Sequence, residues 1–259
     1  MRDLGLEEAI RVAGGVGALA KKLGISQPSV SNWSRVPAER VLLVEAATGV
    51  SRAMLRPDLY AERAGAAGEV DEVDAARAQE YGLISVLLAR APDASLLQRL
   101  ATLRGDASPL GLAHAALAEA AERTSVERVE REYFDLFIGL GRGELLPYGS
   151  YYLTGFLHER PLARLRAHLD KLGIERAEGQ AEPEDHAAIL CEIMAGLASQ
   201  RFPGPPGSDR EVFEQHLAPW IGRFFADLEQ ADAADFYRRI GALGRVFITI
   251  ETEAFALPS

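Results

Sequence analysis

From residue 75 to residue 255 the apolar side chains recur at intervals of three and four, and no run alternates between hairpin turns. A chain patterned this way can close a core only by packing helix on helix, so the fold expected is all-α. Segments 75–91, 94–103, 110–123, 126–137, 161–172, 184–199, 211–217, 219–231 and 234–255 read as helices. Pro92-Asp93, Gly105 to Pro109 and the Pro/Gly loop from Phe202 to Ser208 punctuate them. The β-branched run Phe247-Ile-Thr-Ile-Glu251 has helical flanks and reads as helix. Within the first of these segments Tyr81, Ile84, Leu87 and Leu88 share one side and belong in the core.

The chain has 259 residues and is 48% apolar, which is enough for one large or two ordinary domains. Its charge divides them. Residues 1–64 hold nine Lys/Arg and seven Asp/Glu, or 9 − 7 = +2; the remainder holds 19 and 31, or 19 − 31 = −12. Residues 1–60 read as a head domain, 61–73 as a Gly/Ala-rich acidic linker and 74–259 as the body. An acidic body repels phosphate and attracts cationic peptide, whereas a mildly basic head can approach nucleic acid. A lone cysteine, Cys191, rules out an internal disulfide and a Cys-rich metal site. No apolar run approaches a membrane span and no signal core follows Met1, so a cytoplasmic protein without membrane insertion is expected.

The head reads as helices over 6–13, 16–23 and 27–34, with Gly24 past the end of the second and Ser26 capping the third. This is the layout of a helix-turn-helix. Leu19, Ala20, Ile25, Val30 and Trp33 fall inward. Gln27, Ser29, Ser31 and Asn32 then face outward, able to meet base edges or phosphates, and Lys21, Lys22 and Arg35 can reach a nucleic-acid backbone. Gly17-Ala-Leu-Ala-Lys-Lys-Leu-Gly-Ile-Ser-Gln-Pro-Ser-Val-Ser-Asn-Trp33, with Val36-Pro-Ala-Glu-Arg40, Glu45-Ala-Ala-Thr-Gly49 and Leu55-Arg-Pro-Asp58, resembles the Cro-like repressor and antitoxin family typified by YdaS. The resemblance implies a DNA-binding fold. The third helix carries no Lys or Arg before Arg35, and a protein-binding role for it remains an alternative.

Six aromatic side chains fall between Tyr133 and Tyr152. An amphipathic helix ends at Gly139, three alternating glycines follow, and Leu145-Leu-Pro-Tyr-Gly-Ser-Tyr-Tyr152 is too apolar for a solvated loop. Gly139-x-Gly141-x-Gly143 is no phosphate cradle: a helix rather than a strand precedes it, the spacing is wrong, and no Gly-Lys-Ser/Thr follows. No nucleophile motif or metal-ligand cluster is present, so a noncatalytic protein is expected.

Glu132-Tyr-Phe-Asp-Leu-Phe-Ile-Gly139, Pro147-Tyr-Gly-Ser-Tyr-Tyr152, Glu182-Pro-Glu-Asp-His186 and Phe213-Glu-Gln-His-Leu-Ala-Pro-Trp220 follow one another in the body. With Phe236-Tyr237 and the closing Phe247 to Glu251, they resemble the TorD/DmsD/NarJ family of cytoplasmic chaperones for molybdenum-containing redox enzymes. Leu140 and Gly149 depart from the commoner pattern, proline and an acidic residue being frequent there. The resemblance implies a TorD-like helical bundle that binds the apo catalytic subunit of its client, or that client's twin-arginine signal peptide, until molybdopterin is inserted. The chain itself would need no cofactor. Gly-Leu-Gly-Arg-Gly-Glu with Pro-Tyr-Gly-Ser-Tyr-Tyr looks most like chaperones that accompany formate dehydrogenases. A homodimer is left open. The rival function is a transcriptional regulator whose body senses client or cofactor status.

A signal peptide needs an apolar groove for its hydrophobic segment and carboxylates for its arginines. Phe137, Tyr148, Tyr151, Tyr152 and Trp220 are candidate walls, with core packing as the alternative for each. Glu132, Asp135, Glu144, Glu184 and Asp185 are candidate charges, and the resemblance associates Asp185-His186 with client binding. Helix capping is the alternative for that pair.

Overall fold

A computed structural model of the chain describes residues 3–56, 71–176, 179 and 181–257, so the linker expected at 61–73 lies outside the described residues up to position 70. The chain divides into two compact units, Met1–Asp71 and Glu72–Ser259. Among the described residues all regular elements are helical, with one isolated antiparallel bridge between Tyr148 and His186. Among them, no helix is long and apolar enough to cross a membrane.

The first unit holds α1 (Leu4–Ala13), α2 (Val16–Lys22), α3 (Gln27–Ser31), a short turn at Ala38–Arg40, α4 (Val41–Thr48) and α5 (Arg52–Leu55). Asp3 caps α1 by accepting from the Leu6 amide at 2.9 Å. The Ser26 side chain caps α3, as its position after the turn predicts. Gly24 takes a φ of +66°, which an L side chain rarely adopts. Leu6, Leu19, Val30, Val36, Val41, Val44 and Leu55 are fully buried and close a core of their own, and Ile25 and Trp33 pack half-buried against it. The third helix stops at Ser31, not at 34; Asn32 forms its C-cap.

The second unit runs through α6 (Glu72–Ala89), α7 (Ala94–Ala101), α8 (Pro109–Arg123), α9 (Val126–Tyr133), α10 (Gly149–Thr154), α11 (Arg160–Leu172), α12 (Ala187–Ala198), α13 (Ser208–Val212), α14 (Ala218–Gln230) and α15 (Phe236–Ala256). Asp93, Ser108 and Ser125 cap α7, α8 and α9 with their side chains. α6 packs along α12, α14 along α15, and α8 across α15. Tyr81, Phe213, Trp220, Phe224, Phe225 and Tyr237 fill the space between them, each at most 1% exposed. This is the single helical core that the apolar spacing requires.

Two wide turns break the periodicity. Phe134–Ile138 continues α9, and its Phe134 carbonyl accepts from Gly139 N at 2.7 Å, five residues on. Phe213–Leu217 does the same between α13 and α14. Such insertions rotate side chains out of helical register. The second aims His216 at His168 of α11, with Nε2 2.9 Å from His168 Nδ1, so one proton is shared between two rings. Burial, then the neighbouring His168 and Arg164, push the His216 imidazole down to about 4. The unfolded chain therefore takes up a proton between the ordinary value near 6.5 and about 4, where the folded chain does not. Stability should fall as pH drops through that window. Urea midpoints measured from pH 7 to pH 4 should decline less steeply in His216→Gln than in the parent; an unchanged slope would remove His216 from the acid response.

Candidate peptide-binding site

The loop after α9 folds back on the turn that precedes it. Glu144 N donates to Asp135 O at 3.1 Å, and Leu145 N donates to Leu136 O at 2.8 Å. The backbones come so close that a Cβ on Gly143 would lie 2.6 Å from Leu136 O. The glycine triplet is thus a site of close packing. Beyond it Pro147 leads into α10, a helix where the sequence pattern suggests a loop. α10 lacks a side-chain cap, and Tyr152 anchors it, with its ring 5.6 Å from Trp220 and 6.0 Å from Phe224. Gly149 sits directly over Trp220: a Cβ there would meet Nε1 at 2.9 Å, so the acidic residue frequent at this position has no room.

The aromatic stretch and the Glu-Asp-His segment meet through their backbones. Gly149 N donates to Asp185 O at 2.9 Å, Ala187 N donates to Pro147 O at 2.8 Å, and Ser150 N donates to Asp185 Oδ2 at 2.7 Å. These three bonds sew 147–150 to 185–187. Asp185 is 3% exposed and faces inward, so it is a clamp for the loop and not a charge presented to a groove. His186 caps α12, which begins at Ala187 and not at Glu184. Its Nδ1 accepts from Ala188 N at 3.1 Å, which leaves the ring proton of the neutral form on Nε2. Burial lowers the His186 pKa against the pull of Glu182 and Asp185, and favours that neutral form.

Other candidates are also spent on structure. Glu132 is buried and accepts from the amides of Asp235, Phe236 and Tyr237 at 2.8, 3.1 and 2.6 Å, holding the start of α15. Burial raises its pKa, offset by those three amide bonds. Glu144 accepts from the amides of Asp232 and Ala233. Phe137 packs between Tyr133 and Tyr237, and Trp220 is 1% exposed with its indole N–H on His216 O at 2.8 Å. Neither Glu132, Phe137 nor Trp220 lines either cavity described below; packing claims all three. Asp135 is exposed on the wide turn, also outside both cavities.

Two cavities border the joined segments. One, about 470 Å³, is lined by Tyr151, Tyr152, Leu153, Arg142, Arg223 and Asp227, among others. Arg142 donates to the Tyr151 hydroxyl at 3.0 Å, and the Tyr152 hydroxyl donates to Asp227 at 2.9 Å. Its two carboxylates, Glu144 and Asp227, are thus already engaged, and two arginines balance them. The other cavity, about 310 Å³, lies between α11 and α12. Leu169, Ile174, Ile189, Ile193 and Phe202 form its apolar surface. Asp170, Glu175, Glu182, Glu184 and Glu192 stand around it with Arg166 and Arg176, giving 2 − 5 = −3. Arg166 pairs with Glu184 at 2.8 Å, and Tyr148 donates to Glu182 at 2.6 Å, its ring edge-on to His186. Burial, then Glu182, raises the Tyr148 pKa, so it stays a donor.

Only Glu184 of the candidates lines this second cleft; Tyr148 reaches it through Glu182. The rest of the lining escapes the sequence reading. Ile189, Glu192 and Ile193 are one helical face of α12, opposite the buried Leu190, Cys191 and Met194, and that second apolar face is the available signal.

In the first unit Lys21, Lys22, Gln27, Ser29, Ser31, Asn32 and Arg35 are all exposed. Ser29 Oγ lies 2.7 Å from Ser26 Oγ, and Lys22 Nζ donates to Ala47 O at 3.3 Å.

Residues 104–226 match the profile described as nitrate reductase delta subunit, and residues 6–64 match the one described as bacterial toxin YdaS. The chaperone protein TorD of Vibrio cholerae is 30% identical over 126 residues, 45% of this chain and 57% of that protein. The chaperone protein TorD of Shewanella loihica is 26% identical over 202 residues, 69% of this chain and 92% of that protein. The chain thus spans little more than half of the first relative and nearly all of the second. A crystal structure from Archaeoglobus fulgidus, assigned to redox-enzyme maturation, covers 67% of this chain and 93% of its own at 20% identity, with a TM-score of 0.48. With its all-helical core, the larger unit is similar in sequence to the TorD-type chaperones, and it follows a helical head that matches the YdaS profile.

Proposed function

We propose that this protein is a cytoplasmic, noncatalytic chaperone that binds the apo catalytic subunit of a molybdenum-containing oxidoreductase, or its twin-arginine signal peptide, before molybdopterin is inserted. The acidic, apolar-floored cleft between α11 and α12 carries the reading. Its floor fits a hydrophobic segment and its five carboxylates fit arginines, two demands that a signal peptide makes together. The Tyr151–Tyr152 cavity offers an arginine no net negative charge, because Arg142 and Arg223 balance Glu144 and Asp227 in its lining. Gly-Leu-Gly-Arg-Gly-Glu and the Pro-Tyr-Gly-Ser-Tyr-Tyr segment favour a formate dehydrogenase as the client. The test is a pull-down from native cytoplasm with protein identification. Recovery of a molybdoenzyme catalytic subunit supports the reading, and its absence from a client-expressing culture counts against it.

The exposed polar side chains of α3 favour a second activity, DNA binding by the head. Selection of duplexes from a random pool by the full chain should enrich one sequence. Gln27→Ala and Asn32→Ala should each weaken the mobility shift on that sequence about tenfold, the worth of one good base contact. No enrichment, or shifts indifferent to both substitutions, would sink this reading.

A further inference from the structure

The second unit is acidic, yet one corner of it is built from arginine. Arg123 ends α8, Arg128 lies in the first turn of α9, and Arg239 lies in the first turn of α15; all three line one concavity of about 50 Å³. Thr124 forms part of its wall. Asp235 is the one carboxylate lining it, so the lining carries 3 − 1 = +2. Arg123 reaches Glu119 at 3.5 Å, with both side chains two-thirds exposed, a pairing worth little. Among the described residues Arg128 and Arg239 form no ion pair. Glu132, just behind, is committed to the amides of Asp235, Phe236 and Tyr237, so it does not neutralise the cluster as an ion-pair partner.

Three arginines line this one hollow against a single carboxylate, whereas Arg77, Arg166 and Arg245 of the same unit each answer a carboxylate one to one or better. The hollow is too small for a peptide or a nucleobase and is of the size of one tetrahedral oxyanion. Arginine presents forked donors that match such an anion bidentately. We propose that this corner binds a phosphate group, free or as the monoester of a small molecule. The site is independent of the peptide cleft, with which it shares no lining residue.

Inorganic phosphate and adenosine monophosphate, each titrated calorimetrically into the full chain in low-salt buffer, are the probes. One saturable site per chain is expected. Arg128→Gln with Arg239→Gln should weaken it about a hundredfold, roughly tenfold for each charge-assisted hydrogen bond removed. Arg99→Gln, an exposed substitution outside the hollow, should leave it unchanged. Equal affinity for the two probes assigns the site to the free ion, and tighter binding of the monoester assigns it to an esterified phosphate. Absence of saturation, or saturation that survives the double substitution in a chain of unchanged helicity, overturns the proposal.

Discussion

Arg77→Met should lower the unfolding free energy by about 3–5 kcal/mol, the usual cost of removing one partner from a buried ion pair. Arg77 in α6 donates to both oxygens of Glu251 in α15, from Nε at 2.8 Å and Nη2 at 2.9 Å. Nη1 reaches Asp74 at 2.7 Å and Asp209 at 3.0 Å. The Tyr81 hydroxyl donates to the same Glu251 at 2.9 Å. Burial disfavours the Arg77 charge, but Glu251, with Asp74 and Asp209, outweighs it, and the guanidinium pKa rises. Glu251 is 1% exposed, so without Arg77 its charge stays in the core with only a tyrosine donor. Methionine fills the stem volume and isolates the electrostatic loss. The double change Arg77→Met with Glu251→Met should cost much less than the sum of the single changes, because neither charge is then left unpaired. Urea unfolding followed by circular dichroism gives all four corners of the cycle. Additive losses would show that the pair contributes packing alone.

That network also marks where legibility in the sequence stops. Helix periodicity is a local signal, and it locates the helices of the core and the buried side of α6, and the residue type after the turn locates the cap at Ser26. Residues 77 and 251 stand 174 apart, and nothing local pairs them. A glutamate among Phe247, Ile248 and Phe255 on α15 is the visible sign that a cation must come from elsewhere. α10 reads as a loop because six residues opening on Gly-Ser have little helical preference of their own; Tyr152 packed on Trp220 and Phe224 supplies what propensity does not. The wide turns at 134–138 and 213–217 each insert one residue, which a pattern of threes and fours absorbs without a trace. For the site, the sequence places Tyr148 and His186 in one face, and the bridge between them brings the two segments together. It cannot tell a carboxylate that faces outward from one that faces inward. Glu184 and Asp185 are neighbours in the chain, yet one lines the cleft and the other clamps the loop.

That difference yields a separable pair of outcomes for peptide binding. Glu184→Gln with Glu192→Gln should weaken an arginine-bearing signal peptide about tenfold to a hundredfold and flatten the salt dependence. Exposed ion pairs are worth roughly 0.2–1 kcal/mol each, but here the loss is compounded: Glu184 holds Arg166 at 2.8 Å, and its neutralisation turns that guanidinium into a repulsive neighbour of the incoming arginines. Thermal stability should barely move, because the Arg166–Glu184 pair is half-exposed on the arginine side. Asp185→Asn should do the reverse. Its amide must replace a carboxylate that receives Ser150 N at 2.7 Å inside the protein, so the melting temperature falls and the loop loosens from α12. Binding then weakens through the fraction of molecules that keep the cleft formed, while the salt slope of that fraction stays as in the parent. Fluorescence titrations of a labelled peptide at two ionic strengths, beside melting curves of the same variants, separate the two roles. A flattened salt slope in Asp185→Asn at unchanged melting temperature would return Asp185 to the binding surface, and an unaltered slope in the Glu184/Glu192 variant would take the client's arginines out of this cleft.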